Sequence, residues 1–303
     1  MSASLNVNIN VTRILAIYRE KIFSNRAVEA DRAILDEVLT IFRMKMGHRL
    51  EITTIYPEDF FMMSLNLNYD LVFSMAQDER ILTILDLLKA KGGTIINSAQ
   101  SIRNCHRQKL SELLCDEAFS YPRFVSVDLE SIDDKLINDQ AVWIKRGDFH
   151  ALVDDDVIFA ESKDDKERAL LQFKNRGVRK VIFQDHCEGE LFKFYGVRDS
   201  FFNLRYMGRT GKDRYQFVPG DVNVEFDKTR LEILAHRAAR VLDLDFFGGD
   251  IIIDDQGKMR FIDFNDWPSF RTCVQTVAPV MVNYALKKLQ SEVTPSESII
   301  QRI

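Results

Sequence analysis

Residues 249 to 270, GDIIIDDQGKMRFIDFNDWPSF, place two acids and an amide at a spacing that suits a hard cation. Two β-branched and aromatic runs flank Asp254-Asp255-Gln256-Gly257, a turn-forming cluster, so the segment reads as a β-hairpin. With the turn centred between Gln256 and Gly257, Asp250 falls directly opposite Asp263. Alternation along the strand then puts Asn265 on the same face. Opposed residues have Cβ atoms about 5 Å apart, where two carboxylates repel unless a cation lies between them. Oxygen ligands on a rigid hairpin suit Mg²⁺ or Mn²⁺, with positions left open for phosphate oxygens. The competing reading makes the acids surface residues at a hairpin end; against it, Asp263 and Asn265 interrupt an otherwise apolar strand.

Two more segments carry chemistry. Lys145 ends the strand-like run AVWIKR and precedes Gly147 and a polar turn, so it can neutralise a phosphate that the loop's N–H groups approach. The same lysine can equally be a plain strand end. VIFQDHCEGELFKFYGV, residues 181 to 197, is an apolar strand that becomes a polar linker and resumes as a strand. Such a linker can offer backbone donors and acceptors to a flat base, with Glu188 or Glu190 near a ribose; the alternative is a simple hairpin connection. His48, His106, His150, His186 and His236 show no HxH or HExxH spacing, which argues against zinc chemistry. There is no GxSxG element for a serine nucleophile and no GxxxxGK[ST] phosphate loop.

These segments need elements to hold them. Runs 13 to 18 and 50 to 55 flank a stretch in which Ile34, Leu35, Val38, Ile41 and Phe42 share one helical face, a β-α-β unit. Strand 71 to 74, a helix carrying Ile81, Leu82, Ile84, Leu85 and Leu88, the break at Gly92-Gly93 and strand 94 to 97 extend it into an open parallel sheet. Ligands of such sheets sit at the strands' carboxyl ends, where Arg19, Lys21, Ser24, Asn25 and Arg26 follow the first strand. A solvated polar loop is the alternative there. From residue 120 strands follow one another at 123–128, 141–146, 156–160, 180–185, 191–197, 200–206, 250–253 and 259–264, with helices at 163–175, 227–241 and 278–290. That pattern predicts an α+β domain with antiparallel hairpins, joined to the first near residues 98 to 120.

The 303 residues suffice for two domains, and 46% hydrophobic with 29% charged residues is a globular composition. A net charge of −5 offers no global attraction to nucleic acid or an anionic membrane, and no run approaches the about 18 apolar residues of a spanning helix. Four cysteines without a CxxC pair, and an N-terminus without a signal-peptide pattern, predict a reduced, cytoplasmic protein.

Lys109 in a helix after the first domain, the VWIKRG strand, the IFQDHCEGE linker and the D(x12)DxN hairpin stand in an order that resembles the ATP-grasp superfamily over nearly the whole chain. The resemblance implies a pre-ATP-grasp substrate domain at 1–105 and an ATP-grasp domain at 106–303, with subdomains at about 106–183 and 184–303. It makes Lys109 and Lys145 the phosphate lysines and Gln184, Asp185, His186 and Cys187 the adenine contacts, with Glu190 or Glu188 at the ribose. Asp250, Asp263 and Asn265 become the Mg²⁺ ligands; beside these, Lys193 with Arg205 is expected to stabilise the transferred phosphoryl group. Many members carry Glu where this chain has Asp263; the Asp form, Lys193 and His150 are similar to the inositol polyphosphate kinase branch. The expected function is an ATP- and Mg²⁺-dependent ligase that joins a carboxylate to an amine through an acylphosphate. The alternatives are a kinase acting on a polyol or inositol phosphate, and a nucleotide-binding module without turnover. The substrate is expected to be a small anion. Of the acids near it, Glu20 is the candidate for holding an amine.

Overall fold

The computed structural model describes residues 11–24, 28–60, 68–115, 117–148, 153–210, 222 and 224–300. In chain order it contains β1 (Thr12–Ile17), α1 (Val28–Met46), β2 (Leu50–Ile55), α2 (Pro57–Phe60), β3 (Leu71–Ser74), α3 (Glu79–Ala90), β4 (Thr94–Ile96), α4 (Ala99–Asn104) and α5 (Arg107–Leu114). There follow β5 (Phe124–Asp128), β6 (Val142–Arg146), β7 (Val157–Ala160), α6 (Lys163–Asn175), β8 (Lys180–Asp185), β9 (Gly189–Val197), β10 (Phe201–Thr210), α7 (Lys228–Val241), β11 (Phe246–Ile253), β12 (Met259–Asp266) and α8 (Val274–Ile300). The chain separates into two units, Met1–Ala99 with Ser269–Ile303, and Gln100–Pro268.

The first unit is built on a parallel sheet in the order β2-β1-β3-β4. Its helices bury most of the stripes that their periodicity predicts, Ile34, Leu35, Val38 and Phe42 of α1 and Ile81, Leu82, Leu85 and Leu88 of α3, with Ile41 and Ile84 of those stripes half-buried. Asp78 caps α3 by accepting from Arg80 N at 2.9 Å, and Gly92, at φ +91°, supplies the left-handed turn beyond its end. The last helix belongs here and not with the residues that precede it. Val277, Met281, Val282 and Ala285 of α8 are fully buried. Lys45 Nζ donates to Asn283 Oδ1 at 2.6 Å, Thr94 Oγ1 to Glu292 Oε2 at 2.6 Å, and Lys288 Nζ to the Ile95 carbonyl at 3.3 Å. The expected division, 1–105 and 106–303, is therefore replaced by a discontinuous one.

The second unit holds two antiparallel sheets, β5-β8-β6-β7 and β10-β9-β11-β12. Helix α6 covers the first, its start fixed by a capping box in which Ser162 Oγ accepts from Asp165 N and the Asp165 carboxylate accepts from Ser162 N. The core of the second sheet is aromatic: Phe192, Phe194, Phe247, Phe261 and Phe264 meet the apolar faces of α5 and α7, including Leu110, Leu231, Ala235 and Ala239. Each such ring contributes about 1.5–3 kcal/mol through burial. No helix among the described residues is long and apolar enough to cross a membrane.

Candidate functional site: a charged row on the second antiparallel sheet

The β11–β12 hairpin turns at Asp254–Lys258: Gly257 N donates to the Asp254 carbonyl at 2.8 Å and Asp254 N to the Lys258 carbonyl at 3.1 Å. Gly257 takes φ +74°, the left-handed position of a three-residue loop. The turn is thus centred on Gln256, half a residue from the position expected, and an unbroken ladder from it would set Asp250 against Ile262. A β-bulge corrects this. The pairs Ile253–Met259, Ile252–Arg260 and Ile251–Phe261 give way, across Ile262, to Asp250–Asp263, Gly249–Phe264 and Gly248–Asn265. The extra residue leaves Phe261 and Phe264 both in the core, whereas Ile262 and Asp263 both line the pocket opposite. Gly249 makes room for it, since a Cβ there would lie 2.1 Å from the Asp263 carbonyl oxygen.

The register across all four strands aligns four charges. Arg205 pairs with Lys193, Lys193 with Asp250, and Asp250 with Asp263. Directly opposed residues of antiparallel strands share a face, so the row reads + + − − across the sheet. Lys193 Nζ reaches Asp250 Oδ1 at 2.9 Å, and that carboxylate is the main reason its ammonium is held above the usual lysine range. Asn265 stands beside the row on the same strand face, opposite Gly248. Asp263 is pushed toward the neutral acid by burial, opposed by Arg107 and Lys145. Among the described residues no three His, Cys, Asp or Glu side chains gather in a metal-holding cluster. The oxygen donors at hand are the two Asp and the Asn amide.

The facing sheet supplies the other wall. Lys145 and Trp143 of β6 and Gln184 of β8 line the pocket that contains Lys193, Asp250 and Asp263. Lys145 Nζ donates to the Ile262 carbonyl, at the bulge, at 3.4 Å. Burial, with Arg107 nearby, pushes the Lys145 ammonium down to about 8 against the pull of Asp263 and Asp250. Gln184 is buried at the start of the linker. Next to it, His186 Nδ1 accepts from Trp143 Nε1 at 3.0 Å, which assigns the proton of the neutral imidazole to Nε2. Burial pushes the His186 imidazole down and the Cys187 thiol up. Asp185, His186 and Cys187 also line the pocket, with Leu191, Ile252 and Ile262 as apolar walls.

Several expected residues lie elsewhere. Lys109 is exposed on α5 and pairs with Glu112 at 3.5 Å; Arg107, one half-turn earlier and 6% exposed, is the cation of that helix that lines the pocket. The helical position two residues away projects from a different side, which the sequence resemblance alone did not resolve. Glu190 alternates onto the core side of β9 with Phe192 and Phe194, where its carboxylate accepts from Tyr206 OH at 2.5 Å and meets Arg209 at 3.4 Å. It is away from the pocket, as is Glu188, which lines a separate polar cleft with Arg209 and Asp254. Arg205 keeps its place in the row but is exposed on an edge strand. In the first unit Glu20 is spent locally: its carboxylate accepts from Gln77 N and Asp78 N at the start of α3, at 3.0 Å each for the shorter contacts. Arg19 pairs with Asp31 at 3.3 Å. Asn25, Arg26 and His150 lie outside the described residues.

No family model matches the sequence, and no curated protein matches it. Solved structures do resemble it. A D-alanine–D-alanine ligase from Bacillus anthracis aligns with TM-score 0.66 at 12% identity, covering 93% of this chain and 99% of that one. The VanG D-Ala:D-Ser ligase from Enterococcus faecalis aligns with TM-score 0.65 at 11% identity, covering 92% and 99%. The ATP-grasp ligase PsnB, complexed with a minimal precursor, aligns with TM-score 0.62 at 15% identity, covering 91% and 99%. The parallel sheet and the two antiparallel sheets together form the ATP-grasp fold of these neighbours. They lend no support to the inositol-phosphate kinase expectation.

Proposed function

We propose that the protein is an ATP- and Mg²⁺-dependent ligase that joins a carboxylate to an amine through an acylphosphate. The observation that carries this reading is the + + − − row of Arg205, Lys193, Asp250 and Asp263 on one sheet, facing Lys145 and Arg107 across a pocket with apolar walls. Of the fold's neighbours, the Bacillus anthracis ligase was also solved complexed with ATP, and PsnB with a precursor peptide and AMPPNP.

In this reading the base lies between Leu191, Ile252 and Ile262 and meets the linker at Gln184 to Cys187. Lys145 and Arg107 hold the phosphates, Arg107 in the role expected of Lys109. A bound phosphate adds its negative charge to that of Asp263 and Asp250, and so favours the protonated form of Lys145. Asp250, Asp263 and Asn265 fit Mg²⁺: they are hard oxygen donors, and Asp263 is a buried carboxyl whose ionisation a cation would restore. When bound there, the metal supplies charge neutralisation at the phosphate oxygens. Lys193 and Arg205 stabilise the phosphoryl group as a substrate carboxylate oxygen attacks it and ADP leaves; the neutral amine then attacks the acyl carbon, the C–O bond to phosphate breaks, and the amine's proton leaves with the departing phosphate. Catalysis is then positioning and electrostatic stabilisation, with no protein base required. The substrate is a small anion, and the supply of ATP places the reaction in the cytoplasm.

The test is ADP release from Mg-ATP with pools of amino acids, peptides and inositol phosphates. ADP that forms only when a carboxylate and an amine are present together is expected. ADP formed with a polyol phosphate alone would overturn the ligase reading, and absence of ATP binding would overturn the nucleotide site itself.

A further inference from the structure

Strand β8 has two sides. Gln184 faces the pocket described above, Phe183 lines a second cleft of about 550 Å³ whose apolar surfaces come from Val125, Leu136, Val142 and Phe183, and Asp185 at the strand's end lines both. Lys166 of α6 also lines this cleft, and it is 1% exposed. Its ammonium donates to the Leu136 carbonyl at 3.2 Å and to Asn138 Oδ1 at 2.8 Å. Both acceptors are neutral, and an ammonium has three N–H donors. Asp139 acts on it only from a distance, and burial holds the ammonium below the usual lysine range. A cation so placed is costly unless a negative group completes its shell. At the rim, Arg123 is 89% exposed and holds Asp185 at 2.9 Å through Nε, which leaves its terminal nitrogens available. Val125, on the edge strand β5, is 47% exposed beside it.

We propose that this cleft binds a small organic carboxylate with an apolar body. The carboxylate takes the remaining N–H of Lys166 and reaches toward Arg123, while the apolar body covers Val125 and Phe183. One buried ammonium with one free donor over an aliphatic and aromatic floor matches a monoanion with a hydrocarbon tail. A phosphate dianion would leave that apolar floor wet, whereas a hydrocarbon tail covers it. None of these residues takes part in the proposed ligase chemistry except Asp185, which lies at the end of the shared strand, so the inference stands independently of that reading.

Calorimetric titration of the full chain without nucleotide, using hexanoate as the probe, tests it. Saturable binding of one hexanoate per chain is expected, with no binding of hexan-1-ol or inorganic phosphate at the same concentrations. Val125→Asp, which adds a negative charge at an exposed position, should weaken hexanoate at least tenfold, and Lys166→Met should abolish binding. If Lys166→Met fails to fold, Val125→Asp and Arg123→Ala carry the test, since both positions are on the surface. Absence of hexanoate binding, equal binding of hexan-1-ol, phosphate binding in its place, or unchanged affinity in the Val125→Asp variant would each overturn the proposal.

Discussion

The two antiparallel sheets of the second unit have four strands each and differ in what lies behind their pocket-facing sides. The sheet that carries Arg205, Lys193, Asp250 and Asp263 rests on five buried phenylalanines, and the rings of Phe194 and Phe264 pack edge-on at 4.8 Å. The sheet that carries Lys145 and Gln184 rests on a smaller, mostly aliphatic core of Val142, Ile144, Ala160, Leu170 and Val181 with Phe173 and Phe183. Like charges that sit side by side repel, and the backbone beneath them must not yield. The lesson is that the costlier charge arrangement stands on the heavier core, where a bulge can be held in register.

The largest effect expected to separate the sheets is chemical. Asp263→Asn keeps side-chain volume and removes a charge from the row, and turnover of ATP in the presence of both substrates should fall on the order of a thousandfold at saturating magnesium. Normal turnover would mean that the row is not the reacting end of the pocket. Next is packing: Phe194→Ala should cost ~3–5 kcal/mol in urea unfolding, while Ile144→Val behind the other sheet should cost ~0.5–1.5 kcal/mol. Comparable losses would erase the contrast between the two cores. On the opposite wall, Arg107→Ala should weaken ATP about tenfold or more in calorimetric titration, and Lys109→Ala should leave it unchanged; the reverse outcome would restore Lys109. The smallest effect is a pH dependence. Burial pushes the Lys145 ammonium down to about 8, and a bound phosphate would favour its charged form, so ATP binding is expected to take up a proton above that pH. Affinity should therefore be highest below pH 8 and fall about tenfold by pH 9, with the slope absent in Lys145→Met.

Much of this was legible in the sequence. The opposition of Asp250 and Asp263 follows from their spacing, although for a reason that the sequence did not show: the turn sits half a residue away, and the bulge at Ile262 brings the acids back into line. Bulges are set by local tertiary fit, here the glycine at 249 and the Lys145 contact to the Ile262 carbonyl, and period-two reasoning does not see them. Strand alternation, applied to Glu190 as it was to Asn265, would have turned it toward Phe192 and away from the pocket. Trp143 could have been found from Lys145 by the same rule, and Ile252 from Asp250. Arg107 carried a weaker signal, since a helix of eight residues offers two cations, and only its packing decides which one is buried. The destination of α8 had none: an amphipathic helix declares that it has an apolar face and not which sheet it will cover.

The discontinuity of the first unit bears on the order in which the chain matures during synthesis. All of Gln100–Pro268 precedes α8, so the parallel-sheet unit is completed only after every strand of the other has been made. Until then the faces of α1 and β4 that α8 covers wait uncovered, and the hydroxyl of Thr94 and the carbonyl of Ile95 lack the partners that Glu292 and Lys288 bring. Domains usually mature from the N-terminus onward as the chain emerges. In this protein the nascent chain can close Gln100–Pro268 first, and a ribosome that stops short of α8 would release a chain whose parallel-sheet unit is unfinished.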